Sequence, residues 1–163
     1  MNEGEATAIV NEEQRQYVED FGELFERSGG ARPLGRMIAW LLIADPPEQS
    51  AEQLAESLHA SRGAISQNTR VLVQVGLVQR VRKPGERRDY FRIRPGAWEQ
   101  STRERRHETR KYTQLFQRGL ALTEGGSPES QRALKESIEF MTFLDQEVDA
   151  LFERWDQRKG TSS

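Results

Sequence analysis

The stretch that decides the fold, residues 50–76, reads SAEQLAESLHASRGAISQNTRVLVQVG. Ser50 begins a short helix, and Gln53 stands three residues later, which is the pattern of a capping box. After a short break, Ser61 caps a second helix, which Gly76 ends. Two short capped helices separated by a tight turn predict a helix-turn-helix.

The second of these helices, Ser61–Val75, has two different faces. Four residues turn toward the predicted core on a helical wheel: Ile65, Thr69, Leu72 and Val75. The opposite face has neither an aliphatic nor an acidic side chain, and its arginine and glutamine groups can bind guanine and adenine edges. A plain solvated face is the alternative. The predicted DNA-contacting residues are Ser61, Arg62, Gly63, Ser66, Gln67, Arg70 and Gln74.

A β-hairpin is predicted next, because two short β-like runs, Leu77–Arg82 and Asp89–Arg94, flank the proline–glycine loop KPGERR at 83–88. A helix-turn-helix followed by a hairpin is a winged helix. Basic wing tips lie along the DNA backbone or enter the minor groove, although charges on edge strands also block aggregation. We expect Glu86 and Asp89 to orient the arginines. The predicted wing contacts are Arg82, Lys83, Arg87 and Arg88.

The net charge of −2 over 163 residues conceals a strong partition. Between Arg62 and Arg118 the chain has 15 basic and 5 acidic residues, whereas the rest has 9 basic and 21 acidic residues. A basic middle between acidic ends indicates one polyanion-binding surface on an acidic body. The basic run between Arg103 and Lys111 fits a solvated helix face as well as it fits phosphate contact.

Further helices are predicted on both sides, at residues 11–28, 33–45, 97–122 and 127–158. The last of them has a seven-residue apolar repeat, which requires a partner helix. We predict a homodimer that places two recognition helices about one DNA turn, ~34 Å, apart, with an intrachain helical hairpin as the alternative. The predicted interface residues are Tyr17, Leu115, Leu134, Met141, Leu144, Val148, Leu151 and Trp155.

The predicted fold class is mainly α with a small β-hairpin wing, as a winged helix-turn-helix domain plus a long-helix dimerisation domain. Residues 1–30 supply an N-terminal helix that contributes to dimerisation. Residues 31–95 form the DNA-binding domain, and residues 96–163 form a two-helix dimerisation region.

Several function classes are excluded. Cysteine is absent, which excludes disulfides, thiolate catalysis, cysteine-type zinc sites and thiol redox sensing. His59 and His107 lie in separate elements, so we expect no metal switch. Since no nucleophile–base set appears, we predict no enzyme, no catalytic residue and no cofactor. No apolar run reaches the ~18 residues of a membrane span; we expect a soluble, cytoplasmic protein without membrane contact.

Three stretches together resemble the GbsR-type branch of the MarR family of transcription regulators: PLGR at 33–36, SRGAIS at 61–66 and GERRDYF at 85–91. The resemblance covers about residues 15–158 and is closest to actinobacterial regulators of membrane efflux transporters. It implies a winged-helix homodimer that binds an inverted-repeat operator in double-stranded DNA, usually as a repressor. It also implies release by a small ligand.

The resemblance places the family's recognition helix at Ser61–Val75 and its wing arginines at Arg87 and Arg88. The segment Arg94-Pro95-Gly96 departs from the Leu-Thr…Gly segment of many MarR proteins. Ligand positions are therefore not carried over.

A small lipophilic effector is expected to occupy an apolar pocket, the usual kind of small-molecule site. Candidate lining residues are aromatic, and ordinary core packing is their alternative role: Phe21, Phe25, Trp40 and Phe116. The leading interpretation is a ligand-responsive dimeric repressor that controls an efflux transporter. The alternative is a winged-helix architectural or protein-interaction factor that has neither a specific operator nor a ligand.

Overall fold

The computed structural model describes residues 11–160, apart from the side chains of residues 105–108. The chain divides into two compact units, one up to Ser101 and one from Thr102 onward. The predicted boundary lay between residues 95 and 96. The helix of the predicted segment 1–30 shares a unit with the winged helix, because it packs against the helix that follows it. The dimerisation roles of both predicted segments stay predictions.

The first helix, α1 (Glu12–Arg27), begins at a capping box in which Asn11 Oδ1 accepts a hydrogen bond from the Gln14 amide at 2.7 Å. The second, α2 (Arg32–Ile43), has a proline in its first turn and a buried run of apolar residues. The two helices meet at Gly22 and Gly35. A Cβ added at Gly35 would lie 3.1 Å from the Gly22 Cα, so this contact requires small residues.

The predicted helix-turn-helix consists of α3 (Ala51–Ser57) and α4 (Arg62–Gln74), whose capping residues are Ser50 and Ser61. As predicted, Ile65, Thr69 and Leu72 are buried on one side of α4. The prediction that Val75 also faces the core is wrong, since its side chain is 50% exposed. Val75 is the C-cap residue, and the helical wheel does not apply beyond the last helical turn.

A three-stranded antiparallel sheet completes the first unit, in the order β1 (Gln49–Ser50), β3 (Asp89–Ile93), β2 (Val78–Arg82). The predicted hairpin is β2–β3, in which Val81 pairs with Tyr90. Strand β1 is not predicted from the sequence, because a strand of two residues has no alternation to recognise.

The core of the first unit is built mainly from α2, with α3, α4 and the hairpin packed around it. Trp40 lies at its centre, 1% exposed, and its indole N–H donates to Gln49 Oε1 at 3.4 Å. Gln49 in turn donates to the Pro46 carbonyl at 2.6 Å. Both polar groups are therefore satisfied within the core.

Two long helices, α5 (Ala97–Leu122) and α6 (Pro128–Gly160), supply the second unit from Thr102 onward. Within this unit they run antiparallel, since Arg103 pairs with Asp156 at 2.7 Å and Arg110 pairs with Asp145 at 2.9 Å. The intrachain helical hairpin is thus present. Among the described residues, no helix is long and apolar enough to cross a membrane.

Candidate nucleic-acid interface

The outward face of α4 is built from the residues that the wheel placed there. All seven predicted contact residues, from Ser61 to Gln74, are exposed. Burial of Ile65, Thr69 and Leu72 on the opposite side fixes the rotation of the helix. The helix therefore presents hydroxyl, amide and guanidinium groups to solvent.

The charge on this face is unneutralised. Neither Arg62 nor Arg70 has a carboxylate within 4.0 Å in the part of the chain that the structure describes, and α4 contains no acidic residue. An unpaired exposed guanidinium keeps its full set of donors for an incoming phosphate or base edge. This face can therefore bind a polyanion without first breaking an ion pair.

The start of α4 allows close approach of a ligand to the backbone. Ser61 Oγ accepts a hydrogen bond from the Ala64 amide at 3.2 Å, while helix geometry leaves other first-turn amides without intrahelical acceptors. A Cβ added at Gly63 would meet only Ser61 Oγ, at 4.0 Å. Exposed amides at a helix N terminus bind phosphate readily.

Two local clusters organise the wing. Asp89 pairs with Arg82 at 3.2 Å and with Arg80 at 3.3 Å. At the tip, the Tyr90 hydroxyl donates to Glu86, and Glu86 lies 3.7 Å from Arg88. The local pairs expected of Glu86 and Asp89 are therefore present for Arg82 and Arg88.

The four predicted wing cations differ in the groups that their charged ends contact. Arg82 and Arg88 are paired with carboxylates, and the Lys83 ammonium lies 4.1 Å from the centre of the Tyr90 ring. Arg87 is exposed and has no ion pair in the described part of the chain. Arg87 is thus the wing cation that remains available to a phosphate.

Arg80 and Tyr90 also belong to the wing clusters, although neither is among the residues predicted for the wing. Arg80 and Arg82 lie two residues apart on β2, so they share one face of the strand and reach the same carboxylate. Period-two alternation from Arg82 would have indicated Arg80. No sequence signal indicated that the Tyr90 hydroxyl reaches Glu86, because that contact depends on the shape of the loop.

Two arginines of the basic run of α5, Arg103 and Arg110, bind residues of α6 within the helical hairpin. The Arg103 guanidinium lies 4.1 Å from the centre of the Phe152 ring and also pairs with Asp156. Arg110 binds Asp145 and also reaches Asp149 at 3.4 Å. These contacts favour an internal role over phosphate contact for both arginines.

The four aromatic residues proposed for an effector pocket have different surroundings. The buried position of Trp40 favours the core-packing alternative. The Phe25 ring covers Gly30, where an added Cβ would lie 2.2 Å from ring atoms. Phe21 is partly buried in the first unit, and Phe116 packs beside Tyr112 in the second, with ring centres 6.3 Å apart. An effector site at these residues stays a prediction.

The predicted interface residues fall into two groups. Tyr17, Leu115, Leu151 and Trp155 are exposed, whereas Leu134, Met141, Leu144 and Val148 are half-buried. A Cβ added at Gly119 of α5 would lie 3.4 Å from the Leu134 side chain, so part of the apolar repeat serves the intrachain hairpin. Further exposed apolar residues on α5 and α6, outside the predicted interface, are Tyr112, Leu122, Phe140 and Phe143.

Both parts of the chain are similar to known transcriptional regulators. Residues 41–90 match the MarR family, and residues 96–158 match the MmpR5-like MarR family transcriptional regulators. The chain is 37% identical over 145 residues to the HTH-type transcriptional regulator MmpR5 of Mycobacterium tuberculosis (strain ATCC 25618 / H37Rv), which covers 89% of this chain and 88% of that protein. The chain belongs to the MarR family of transcriptional regulators.

A solved structure supports the same fold for this MarR-family regulator. The crystal structure of a transcriptional regulator is 36% identical in sequence and superposes with a TM-score of 0.73, covering 89% of this chain and 99% of that one. The winged helix is the DNA-binding element of the family, and its members are regulators rather than enzymes. Assignment to the GbsR branch stays a prediction.

Proposed function

We propose that this MarR-family regulator is a sequence-specific homodimeric repressor, which binds an inverted-repeat operator through α4 and the wing. The observation that supports this proposal most is the outward face of α4, which is exposed, free of acidic residues and carries unpaired Arg62 and Arg70. Arg87 adds an unpaired cation at the wing tip. Gln67 and Arg70 are the groups best suited to discriminate bases, since glutamine binds adenine and arginine binds guanine bidentately.

Homodimerisation is supported by the apolar side chains that the helical hairpin leaves exposed. Phe140 and Phe143 are 59% and 57% exposed, and Leu151 is 53% exposed. The free energy falls when a second copy of the chain covers apolar groups of this size and removes them from water. A twofold dimer presents the recognition helix twice, which matches an inverted repeat with half-sites about 34 Å apart.

Release by a small lipophilic ligand and control of an efflux transporter rest on the sequence resemblance. A ligand can lower operator affinity only if it binds one arrangement of the two recognition helices better than the other. The test is release of a bound operator fragment by lipophilic extracts. An operator complex that persists at saturating extract would contradict this part of the proposal.

Competition binding distinguishes the repressor from an architectural factor. A fluorescent DNA fragment from upstream of the gene that encodes this chain is titrated with the protein at physiological salt. Random-sequence DNA of equal length is added as the competitor. A specific regulator prefers its operator by on the order of 10³-fold or more. A preference near unity would contradict sequence-specific recognition and favour the architectural alternative.

A further inference from the structure

The turn of the helix-turn-helix is held by a side chain from outside the motif. Arg36 of α2 donates a hydrogen bond from Nη2 to the Leu58 carbonyl at 3.0 Å. Leu58 is the C-cap residue of α3, so this oxygen is one of the carbonyls that a helix end leaves without an intrahelical donor. The same turn includes His59, whose φ of 47° is rare for a residue other than glycine. Arg36 thus secures a strained turn.

Arg36 is itself anchored to α1. Its Nε lies 2.8 Å from Glu19 Oε1, close enough for an ion pair although the N–H does not point along a hydrogen bond. Its aliphatic stem occupies the notch beside Gly22, where an added Cβ would lie 2.7 Å from Arg36 Cγ. The side chain is 27% exposed. Its charged group is therefore engaged inside the unit rather than offered to DNA.

The turn that Arg36 holds leads directly into the recognition helix. Ser61, the N-cap of α4, stands three residues after Leu58, and its Oγ and carbonyl accept the first hydrogen bonds of α4 from Ala64 and Ile65. A displacement of the Leu58 carbonyl therefore moves the N-terminal end of α4. That end carries the predicted DNA contacts at Arg62 and Gly63.

We infer that Arg36 is a positioning residue for DNA recognition, which clamps the helix-turn-helix turn to α1 through Glu19 and so sets the placement of the first turn of α4. This inference rests on the proposed operator binding. It adds that α1, although outside the winged helix, contributes to operator affinity. A displacement of α1 would move the first turn of α4 through the contacts of the Arg36 guanidinium group.

The chain offers a matched control in Arg32, one turn earlier on α2. Arg32 Nη2 donates to Glu19 Oε2 at 2.9 Å, and this hydrogen bond raises the pKa of the Arg32 guanidinium above its ordinary value. Its other carboxylate partner is Glu23 at 3.5 Å. Arg32 and Arg36 thus share the Glu19 carboxylate, but the contact to the Leu58 carbonyl belongs to Arg36.

The experiment compares R36Q with R32Q for affinity to operator and to random DNA across a salt series, well below each melting temperature. R36Q is expected to lower the ratio of operator affinity to random-DNA affinity by up to about tenfold. Ordering the released turn when α4 binds its operator costs about what the lost hydrogen bond to a charged group supplied. Its salt slope should equal that of the wild type, since Arg36 contacts no phosphate. R32Q should retain the wild-type ratio. A retained ratio in R36Q, a salt slope reduced in R36Q, or an equal loss in R32Q would each overturn the inference.

Two further variants separate positioning from general stability. R36K should restore part of the lost ratio, because an ammonium reaches one of the two oxygen atoms that the guanidinium bridges. E19Q should weaken operator binding less than R36Q, and E19Q/R36Q should resemble R36Q alone, since the two residues act in one chain of contacts. Fully additive effects would contradict the clamp. If R36Q does not fold, R36K and E19Q, each compared with the wild type, decide it instead, and wild-type discrimination in both would contradict it.

Hydrogen exchange without DNA distinguishes failure of this inference from failure of the proposed function. The amides of Ala60, Ala64 and Ile65 donate the hydrogen bonds of this turn and of the first turn of α4. These amides should exchange faster in R36Q than in R32Q. If the wild type does not discriminate its operator, the proposed function fails and the exchange rates still decide the clamp. Equal rates in the two variants would contradict it.

Discussion

Arg62, Arg70 and Arg87 differ from Arg103 and Arg110 in whether a carboxylate already binds their guanidinium group. Arg103 and Arg110 are paired with carboxylates of α6, whereas these three are exposed and unpaired in the described part of the chain. An exposed ion pair competes with a phosphate for the N–H donors of its arginine. The unpaired arginines should therefore dominate the electrostatic part of DNA binding.

Substitution of Arg87 by alanine should weaken binding to all DNA sequences about equally. The expected change is a salt slope smaller by about one per protomer, because one phosphate contact and its released counterion are lost. Anisotropy titrations of operator and random DNA at several salt concentrations measure this. Arg132→Ala is the control, since it removes the same charge from a residue paired with Glu136 on α6. An unchanged slope for Arg87→Ala would show that the wing does not contact phosphate.

Substitution of Gln67 by alanine should instead alter base preference. Loss of a bidentate amide contact is expected to reduce discrimination at one position of each half-site by about 1–3 kcal/mol, with little change in salt slope. Operators that carry every single-base substitution measure the preference. Gln114→Ala, at an exposed position of α5, should leave it unchanged. Uniform weakening across all operators would argue against base readout by Gln67.

At the scale of elements, the contact between α1 and α2 depends on glycine rather than on a ridge of large side chains. Gly22 and Gly35 bring the helix backbones together, and the Phe25 side chain closes the contact over Gly30 and Gly35. This close approach lets Arg36 of α2 reach Glu19 of α1 at 2.8 Å. Packing of α1 and the proposed clamp on α4 are therefore linked.

Substitution of Gly35 by alanine should destabilise the first unit. The new Cβ would lie 2.6 Å from the Phe25 Cβ, and overpacking of this kind costs about 1–3 kcal/mol, more than the ~0.5–1 kcal/mol that alanine gains over glycine in a helix. Urea unfolding gives the free energy of unfolding. Gly63→Ala is the control, because its Cβ would have no heavy atom nearer than 4.0 Å. Equal stability of the two variants would contradict the tight contact.

At the scale of the whole molecule, α6 has more apolar surface than the hairpin with α5 can cover. Asp145, Asp149 and Asp156 point to the arginines of α5, while Phe140, Phe143 and Leu151 stay exposed. The seven-residue repeat therefore does not decide between a partner helix within the chain and one from a second copy. In the proposed dimer both are used, on two sides of α6.

Substitution of Leu151 by glutamate should separate the proposed dimer into single chains. A carboxylate on this exposed apolar position cannot be buried without a partner, and loss of two-site binding should lower operator affinity about a hundredfold or more. Sedimentation measures the mass, and titration measures the affinity. Thr142→Glu, at another exposed position of α6, should keep the mass of the dimer and the wild-type operator affinity. Dimers of Leu151→Glu with full affinity would place the interface elsewhere.

Much of the fold could be predicted from the sequence because the signals that determine it act over a few residues. Capping at Ser50 and Ser61 and the proline–glycine loop are such signals, and they located the helix-turn-helix and the hairpin. The exposed face of α4 followed from its periodicity, because one buried side fixes the other. The prediction for Val75 is wrong because the same periodicity is extended past the last turn of α4, where it no longer applies.

The sequence by itself therefore determined the helices, the β2–β3 hairpin, the order in which they occur and the face of α4 that meets solvent. Only the tertiary structure decided which cations are free. Arg103 pairs with Asp156 and Arg110 with Asp145, 53 and 35 residues away along the chain, and Arg36 binds a carbonyl 22 residues away. Such pairs depend on where the folded chain brings distant segments together, and no local interaction encodes that path.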